Sequence, residues 1–188
     1  MIIYRIILEA SETEAIQSIY ITFYRVSKDS AIAKALLKCL EKGKNVTVFI
    51  EAKARFDEEN NIYWGERLTK NGAKVLYSMP KIKVHSKIFL LEAKEYSLTY
   101  IGTGNLNENS AKIYADFGLL TVNTSITSEI KQVFTYLNNP SGFKPNVKTV
   151  LMSPFTMRSS LYDKIDREIA HAKLNRKGSL CFKMNSLE

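Results

Sequence analysis

Between Gly43, a helix stop, and the acidic run at Asp57 lies Val46-Thr47-Val48-Phe49-Ile50, nearly unbroken in apolar side chains. A strand with one face in water alternates apolar and polar residues, whereas a continuous run suits a strand buried on both faces. Such a strand needs layers packed above and below it, which restricts the chain to an α/β arrangement. The flanks agree. Ser18 to Tyr24 is rich in Ile, Thr, Tyr and Phe, the composition of a strand. A helix over 31–42 is capped by Asp29 or Ser30, carries Ile32, Ala35, Leu36, Cys39 and Leu40 on one face, and ends at Gly43.

The same rules predict a helix over 2–10 and another over 57–71, with Ile62, Trp64 and Leu68 inward and Asn71-Gly72 closing it. Strands are predicted over 74–77, 88–91, 98–101 and 117–122, with a loop or short helix at 106–113. Further on come a helix over 125–137 capped by Ser125, loop punctuation from Asn138 to Gly142, a strand near 149–152, a helix over 156–174 and a strand over 179–184. At 188 residues and 45% hydrophobic, the chain reads as one domain, 1–188, large enough for a real core. Alternating strands and helices predict an α/β sandwich around a mixed, largely parallel sheet, with right-handed crossovers early on.

A formal charge of +8 and a pI near 9.4 point to a polyanionic partner, without choosing between nucleic acid, acidic membrane and polyphosphate. Two cysteines, Cys39 and Cys181, are too few for a disulfide framework, and each reads as a small core hydrophobe. The opening apolar residues are interrupted by Arg5 and Glu9, which suits an amphipathic helix and not an exported leader; no spanning segment is predicted.

Chemistry concentrates in Lys83-Val84-His85-Ser86-Lys87, followed by Gly102-Thr103-Gly104-Asn105. A His and a Lys two apart on a strand project to one face. That places an imidazole nucleophile beside a fixed ammonium, a pair suited to attack on a phosphoryl group. The three-residue pattern alone more often describes a surface strand with two ordinary polar residues. The Gly-Thr-Gly-Asn turn adds backbone amides, a hydroxyl and a carboxamide, all suited to an oxyanion. Arg25, Arg55 and His85 recur thirty residues apart, each at the edge of a predicted strand. Residues leaving the carboxyl ends of neighbouring parallel strands converge on a crevice; taken singly, each arginine reads as a solvated charge.

His-x-Lys followed by Gly-[Ser/Thr]-x-Asn resembles the half-site of the phospholipase D superfamily, with Glu92 in place of the usual Asp and a longer spacer to Gly102. Residues 21–26, 51–62, 83–87, 102–107 and 183–187 resemble, in that order, the bacterial polyphosphate kinases of the long, phosphohistidine-forming type. The resemblance implies a phospholipase D-like sandwich and a chain that is the first catalytic half of a longer enzyme. The rest of that polyphosphate kinase chain would be its partner, and the intact enzyme a homo-oligomer. The implied reaction is reversible transfer of the ATP γ-phosphate to inorganic polyphosphate through a phosphohistidine on His85, with Lys87 and Asn105 as further catalytic residues and ATP/ADP as substrate.

The resemblance also implies that Tyr114 contacts ATP and that Arg25 and Arg55 belong to a Mg2+–phosphate site. A guanidinium has no free lone pair, so both arginines are expected to grip phosphate oxygens, with the metal bound through phosphate and water. Tyr114 reads equally as a half-buried strand aromatic. Asp116 is a candidate to orient the imidazole through its other ring nitrogen, a contact the sequence does not show. Asp57, Glu58 and Glu59 read as first-turn helix residues ahead of metal ligands, and His171 as structural. Lys183, Asn185 and Ser186 match a family motif without an evident chemistry. The expected compartment is cytoplasmic, with membrane association of the intact enzyme left open, and the chain alone is expected to be inactive. Two other functions stay open: a non-catalytic polyanion-binding module, and a phospholipase D-like phosphodiesterase or nuclease half-site. No specific nucleic acid is expected.

Overall fold

A computed structural model describes residues 2–51, 54, 57–78 and 83–182. In chain order the elements are α1 (Ile2–Glu12), β1 (Ile16–Phe23), α2 (Ala31–Glu41), β2 (Asn45–Ile50), α3 (Glu58–Lys70) and β3 (Lys74–Tyr77). They continue with β4 (Lys87–Ala93), β5 (Ser97–Gly102), a 3-10 turn (Ser110–Lys112), β6 (Gly118–Thr121), α4 (Thr124–Asn138) and α5 (Met157–Lys173). The strands form one six-stranded sheet in the order β3-β2-β1-β4-β5-β6.

The sheet is mixed, as expected, but its parallel part is confined to β1, β2 and β3. β4 runs antiparallel to β1, and β5 and β6 continue antiparallel. For β4 and β5 the reason is local. β4 and β5 are joined by a turn so short that the Ala93 amide bonds the Tyr96 carbonyl, and parallel neighbours need a crossover of a dozen residues or more.

Helices cover both faces of the sheet's centre. On one side Ile19, Ile21 and Phe23 of β1, Val48 and Ile50 of β2, and Phe89 and Leu91 of β4 pack with Ile7 of α1, Leu36 of α2, and Trp64 and Leu68 of α3. On the other, Ile88 and Leu90 of β4 meet Ile130, Val133 and Phe134 of α4. Each fully buried aliphatic or aromatic side chain contributes about 1.5–3 kcal/mol, so the central strands anchor the molecule. Ser30 caps α2 by accepting the Ala33 amide at 3.2 Å, and Gly43 past its end takes a φ of +74°, a backbone region glycine enters freely.

Several expectations are corrected. Ile62 points outward at 48% exposure, while Trp64 and Leu68 fill the core side of α3. Asn123, not Ser125, caps α4, its side chain accepting the amides of Ser125 and Ile126. No strand forms at 149–152, because the amides of Lys148, Thr149 and Val150 all donate to the Glu129 carboxylate on α4 and are lost to any ladder. Residues 179–182 are not a strand either, and Cys181 is exposed rather than core. α5 forms as predicted but carries no buried residue. Among the described residues, no helix is long and apolar enough to cross a membrane.

Candidate functional site

Strand direction decides where the polar residues gather. Phe23 pairs with Ile50, Ile50 with Tyr77, Lys87 with Gly102, and Gly102 with Gly118. The carboxyl ends of β1, β2, β3 and β5 therefore share one sheet edge with the amino ends of β4 and β6. Tyr24 and Arg25 leave β1 at this edge, His85 leads into β4, and the Thr103 to Asn105 turn leaves β5. The expected convergence thus occurs, but His85 reaches it by entering an antiparallel strand, not by leaving a parallel one. Thr22, 1% exposed, fixes the seam: its hydroxyl donates to the Ser86 carbonyl at 2.8 Å and accepts the Ile88 amide at 3.1 Å.

His85 and Lys87 do not lie on one regular strand face. β4 begins at Lys87, and His85 precedes it as an exposed residue. Both instead abut Tyr24. The His85 ring meets the Tyr24 ring edge-on, centroids 4.5 Å apart at 85°. Lys87 Nζ lies 5.0 Å, Lys83 Nζ 5.3 Å and Arg25 Cζ 5.7 Å from the Tyr24 centroid, within cation–π range. Lys87 is only 5% exposed, and its Nζ donates to the His85 carbonyl.

Electrostatics follow from this crowding. Partial burial lowers the His85 pKa, and the Lys87, Lys83 and Arg25 charges lower it further, so the imidazole is neutral at pH 7. Burial pulls the Lys87 ammonium down to about 8; Asp116 opposes the fall, while Arg25 and Lys83 add to it. Asp116 itself accepts the Thr103 hydroxyl at 3.0 Å.

Among the described residues, two buried side-chain polar atoms lack a hydrogen-bond partner: Arg25 Nε and Asn105 Oδ1. Both belong to this edge. Arg25 has an ion-pair neighbour, Asp57 Oδ2 at 3.7 Å, too distant for a hydrogen bond. Buried orphans of this kind are costly and are satisfied when a ligand brings the missing partner. Arg25 Nε offers a donor to an anion, and Asn105 Oδ1 offers an acceptor.

The other expected residues divide. Arg55, Lys183, Asn185 and Ser186 lie outside the described residues. Tyr114 follows the 3-10 turn at 68% exposure, so it is not a half-buried strand aromatic. Glu58 and Glu59 occupy the first turn of α3, as read from sequence, with Asp57 just before it. Glu92 lies at the far end of β4, ion-paired to Lys131 at 2.6 Å. His171 lies on α5. No cluster of three or more His, Cys, Asp or Glu that could hold a metal forms among the described residues, and a guanidinium has no lone pair for a cation, so Arg25 does not fit as a direct magnesium ligand. Sequence reasoning gave no role to Tyr24, Glu51 or Asn61, although Tyr24 lies in the 21–26 run and Glu51 and Asn61 in the 51–62 run that carry the resemblance. That membership was the available signal; the hydrogen bonds of Glu51 and Asn61 reach distant backbone and are not visible in a motif.

Comparison with known proteins follows the same lines. A family model described as polyphosphate kinase C-terminal domain 1 matches residues 1–142, and one described as polyphosphate kinase C-terminal domain 2 matches residues 150–188. The chain is 42% identical to the polyphosphate kinase of Salmonella typhimurium over 184 residues, covering 95% of this chain and 26% of that protein. With the Vibrio parahaemolyticus polyphosphate kinase it shares 41% identity over 187 residues, covering 97% and 27%. It thus spans about a quarter of the length of the curated relatives it matches. The crystal structure of polyphosphate kinase from Porphyromonas gingivalis superimposes with a TM-score of 0.78 at 36% identity, covering 92% of this chain and 29% of that one. Nuc, a phospholipase D family member from Salmonella typhimurium, shares the fold at a TM-score of 0.57 and 13% identity, covering 77% and 90%. The matched models, the relatives and the shared phospholipase D-like α/β fold together place this chain in the polyphosphate kinase family.

Proposed function

We propose that the chain is the first catalytic half of a longer polyphosphate kinase, and that His85 carries the γ-phosphate between ATP and inorganic polyphosphate. The observation that carries this is the pair of buried orphans, Arg25 Nε and Asn105 Oδ1, at the edge where His85 stands. Neutral imidazole keeps a free nitrogen lone pair, and the lowered His85 pKa maintains that state at neutral pH. The lone pair forms an N–P bond in line as the P–O bond to ADP breaks, and ADP departs with the electron pair. A terminal oxygen of polyphosphate then attacks the same phosphorus, the N–P bond breaks, and the imidazole recovers its lone pair. Two displacements let one anion-binding edge serve donor and acceptor in turn.

Arg25, Lys87 and Arg55 counter the charge of the transferring phosphoryl group, the arginines through paired N–H donors. Asn105 Oδ1 accepts a hydrogen bond from an N–H of the imidazole or an O–H of the substrate. Tyr114, with its ring exposed, is available to the nucleotide. Magnesium carried in with the substrate would supply further charge neutralisation, with Arg25 facing phosphate and not the cation. The test is incubation of the protein carrying this segment with γ-labelled ATP, followed by acid and alkali. Label that is acid-labile, alkali-stable and lost in His85→Ala is the expected result; wild-type labelling of His85→Ala would falsify the assignment. A binding module without chemistry, also consistent with the +8 charge, would take no label in either protein while still retaining polyphosphate.

A further inference from the structure

Asn61 is completely buried on α3, and its carboxamide hydrogen-bonds to backbone outside its own helix. Its Oδ1 accepts the Val26 amide at 2.9 Å, and its Nδ2 donates to the carbonyls of Tyr24 at 3.0 Å and Glu51 at 2.8 Å. Tyr24 and Val26 flank Arg25. β1 ends at Phe23, so the backbone groups around Arg25 have left the sheet ladder and take a side-chain partner instead. One amide thus uses both donors and its acceptor to hold the backbone on either side of the guanidinium.

Glu51 extends the linkage. It is 2% exposed, and its carboxylate accepts the Ser78 hydroxyl at 2.7 Å and the Val84 amide at 3.0 Å. Val84 adjoins His85. A continuous path therefore runs from the backbone flanking Arg25, through Asn61 and Glu51, to the backbone beside His85. Both linking residues sit on or directly beside regular elements, α3 and the end of β2, which hold geometry better than loops do.

We propose that Asn61 and Glu51 are positioning residues that fix Arg25 and His85 at the separation one phosphate chain requires. The inference rests on the phosphate-binding reading of Arg25 given above. A displacement of about 1 Å at such a site costs up to about a hundredfold, whereas a purely structural role alters stability and leaves the affinity of folded protein unchanged.

The test measures tripolyphosphate affinity of the chain at low salt, well below its unfolding temperature. Wild type is compared with Arg25→Ala, Asn61→Ala, Glu51→Gln and a core control, Ile7→Val on α1. Asn61→Ala and Glu51→Gln are each expected to weaken binding about tenfold or more. In an Arg25→Ala background Asn61→Ala should add little, because its effect passes through Arg25. Ile7→Val should lower the melting temperature alone. If Arg25→Ala binds like wild type, the phosphate-binding reading fails. If Arg25→Ala binds weakly while folded Asn61→Ala and Glu51→Gln bind normally, that reading stands and the positioning role is overturned. Should Asn61→Ala not fold, Glu51→Gln decides: it keeps one acceptor oxygen for two donors, so wild-type affinity in that variant rejects the proposal.

Discussion

Replacing Lys87 with methionine should make the folded chain more stable and its anion site worse. Lys87 is 5% exposed, and burial drops its pKa from 10.5 to about 8. At about 1.4 kcal/mol per pH unit, holding the charged form in this site costs the fold about 3 kcal/mol. Methionine has a similar length and no charge, but gives up the charge-assisted bond to the His85 carbonyl, worth about 2 kcal/mol. The expected net gain for Lys87→Met near neutral pH is about 1 kcal/mol. The sign of the pH dependence follows from the lowered pKa. Between about 8 and 10.5 the unfolded chain holds a proton that the folded chain has released, so wild-type stability rises with pH across that window. The gap to the variant should close there. Urea unfolding followed by circular dichroism, at neutral pH and through this window, measures both quantities. Adding tripolyphosphate should stabilise wild type by linkage and Lys87→Met far less. A variant less stable at neutral pH, or a gap constant across the window, would show that Lys87 is an ordinary ammonium and refute the reasoning.

Arg25→Lys keeps the charge but loses the planar fork, and in the phosphoryl-transfer assay it should cost about 2–4 kcal/mol, or about thirty- to a thousandfold in rate. Near-normal turnover would return Arg25 to the solvated surface. Glu108 anchors the loop that follows Asn105 by accepting the Ser27 hydroxyl at 2.6 Å and the first amides of α2, Ala31 at 2.7 Å and Ile32 at 3.2 Å. Glu108→Gln should therefore cost about 1–2 kcal/mol at neutral pH. Burial alone would raise the Glu108 pKa, but the Ser27 hydroxyl and these amides hold it below the usual carboxylate range. Its contribution is present above the unfolded value of about 4.3 and is lost as pH falls through the folded one. Urea curves for the two proteins should accordingly converge in acid; parallel curves down to the acid transition would refute the cap.

Elements set by neighbouring residues were legible in the sequence. Ser30 and Gly43 bracket α2 because capping and left-handed backbone are local matters. The apolar run in β2 reported its depth correctly, with Val46, Val48, Phe49 and Ile50 all buried. Elements settled at a distance were not. The segment at 149–152 has strand composition, yet Glu129, some twenty residues earlier, takes its amides. Ile62 obeys apolar periodicity no better than Trp64 does, and the larger ring, bonded through Nε1 to the Ser27 carbonyl at 2.9 Å, claimed the core side. The direction of β4 against β1 is likewise absent from its own residues; the short connection to β5 dictates only that β4 and β5 run antiparallel to each other.

That reversal gives the candidate site its character. In an all-parallel sheet His85 and Arg25 would both leave strands; here one arrives as the other departs, and Tyr24 lies against both. Arg25, Lys83 and Lys87 are drawn to one aromatic ring with a single acidic group, Asp57, ion-paired to any of them among the described residues. Like charges so placed repel one another, and the lowered pKa values of His85 and Lys87 record the strain of that repulsion together with burial. A fold selected only for stability would pair or remove such charges, since replacing buried charges with well-packed apolar side chains of similar volume is often neutral or stabilising. Their retention beside two unsatisfied buried atoms makes sense once an anion completes the set. On the proposed phosphate-binding role, an anion bound there would raise the Lys87 pKa, satisfy Arg25 Nε and offset the mutual repulsion in one event, making binding, protonation and stability at this edge a single coupled equilibrium.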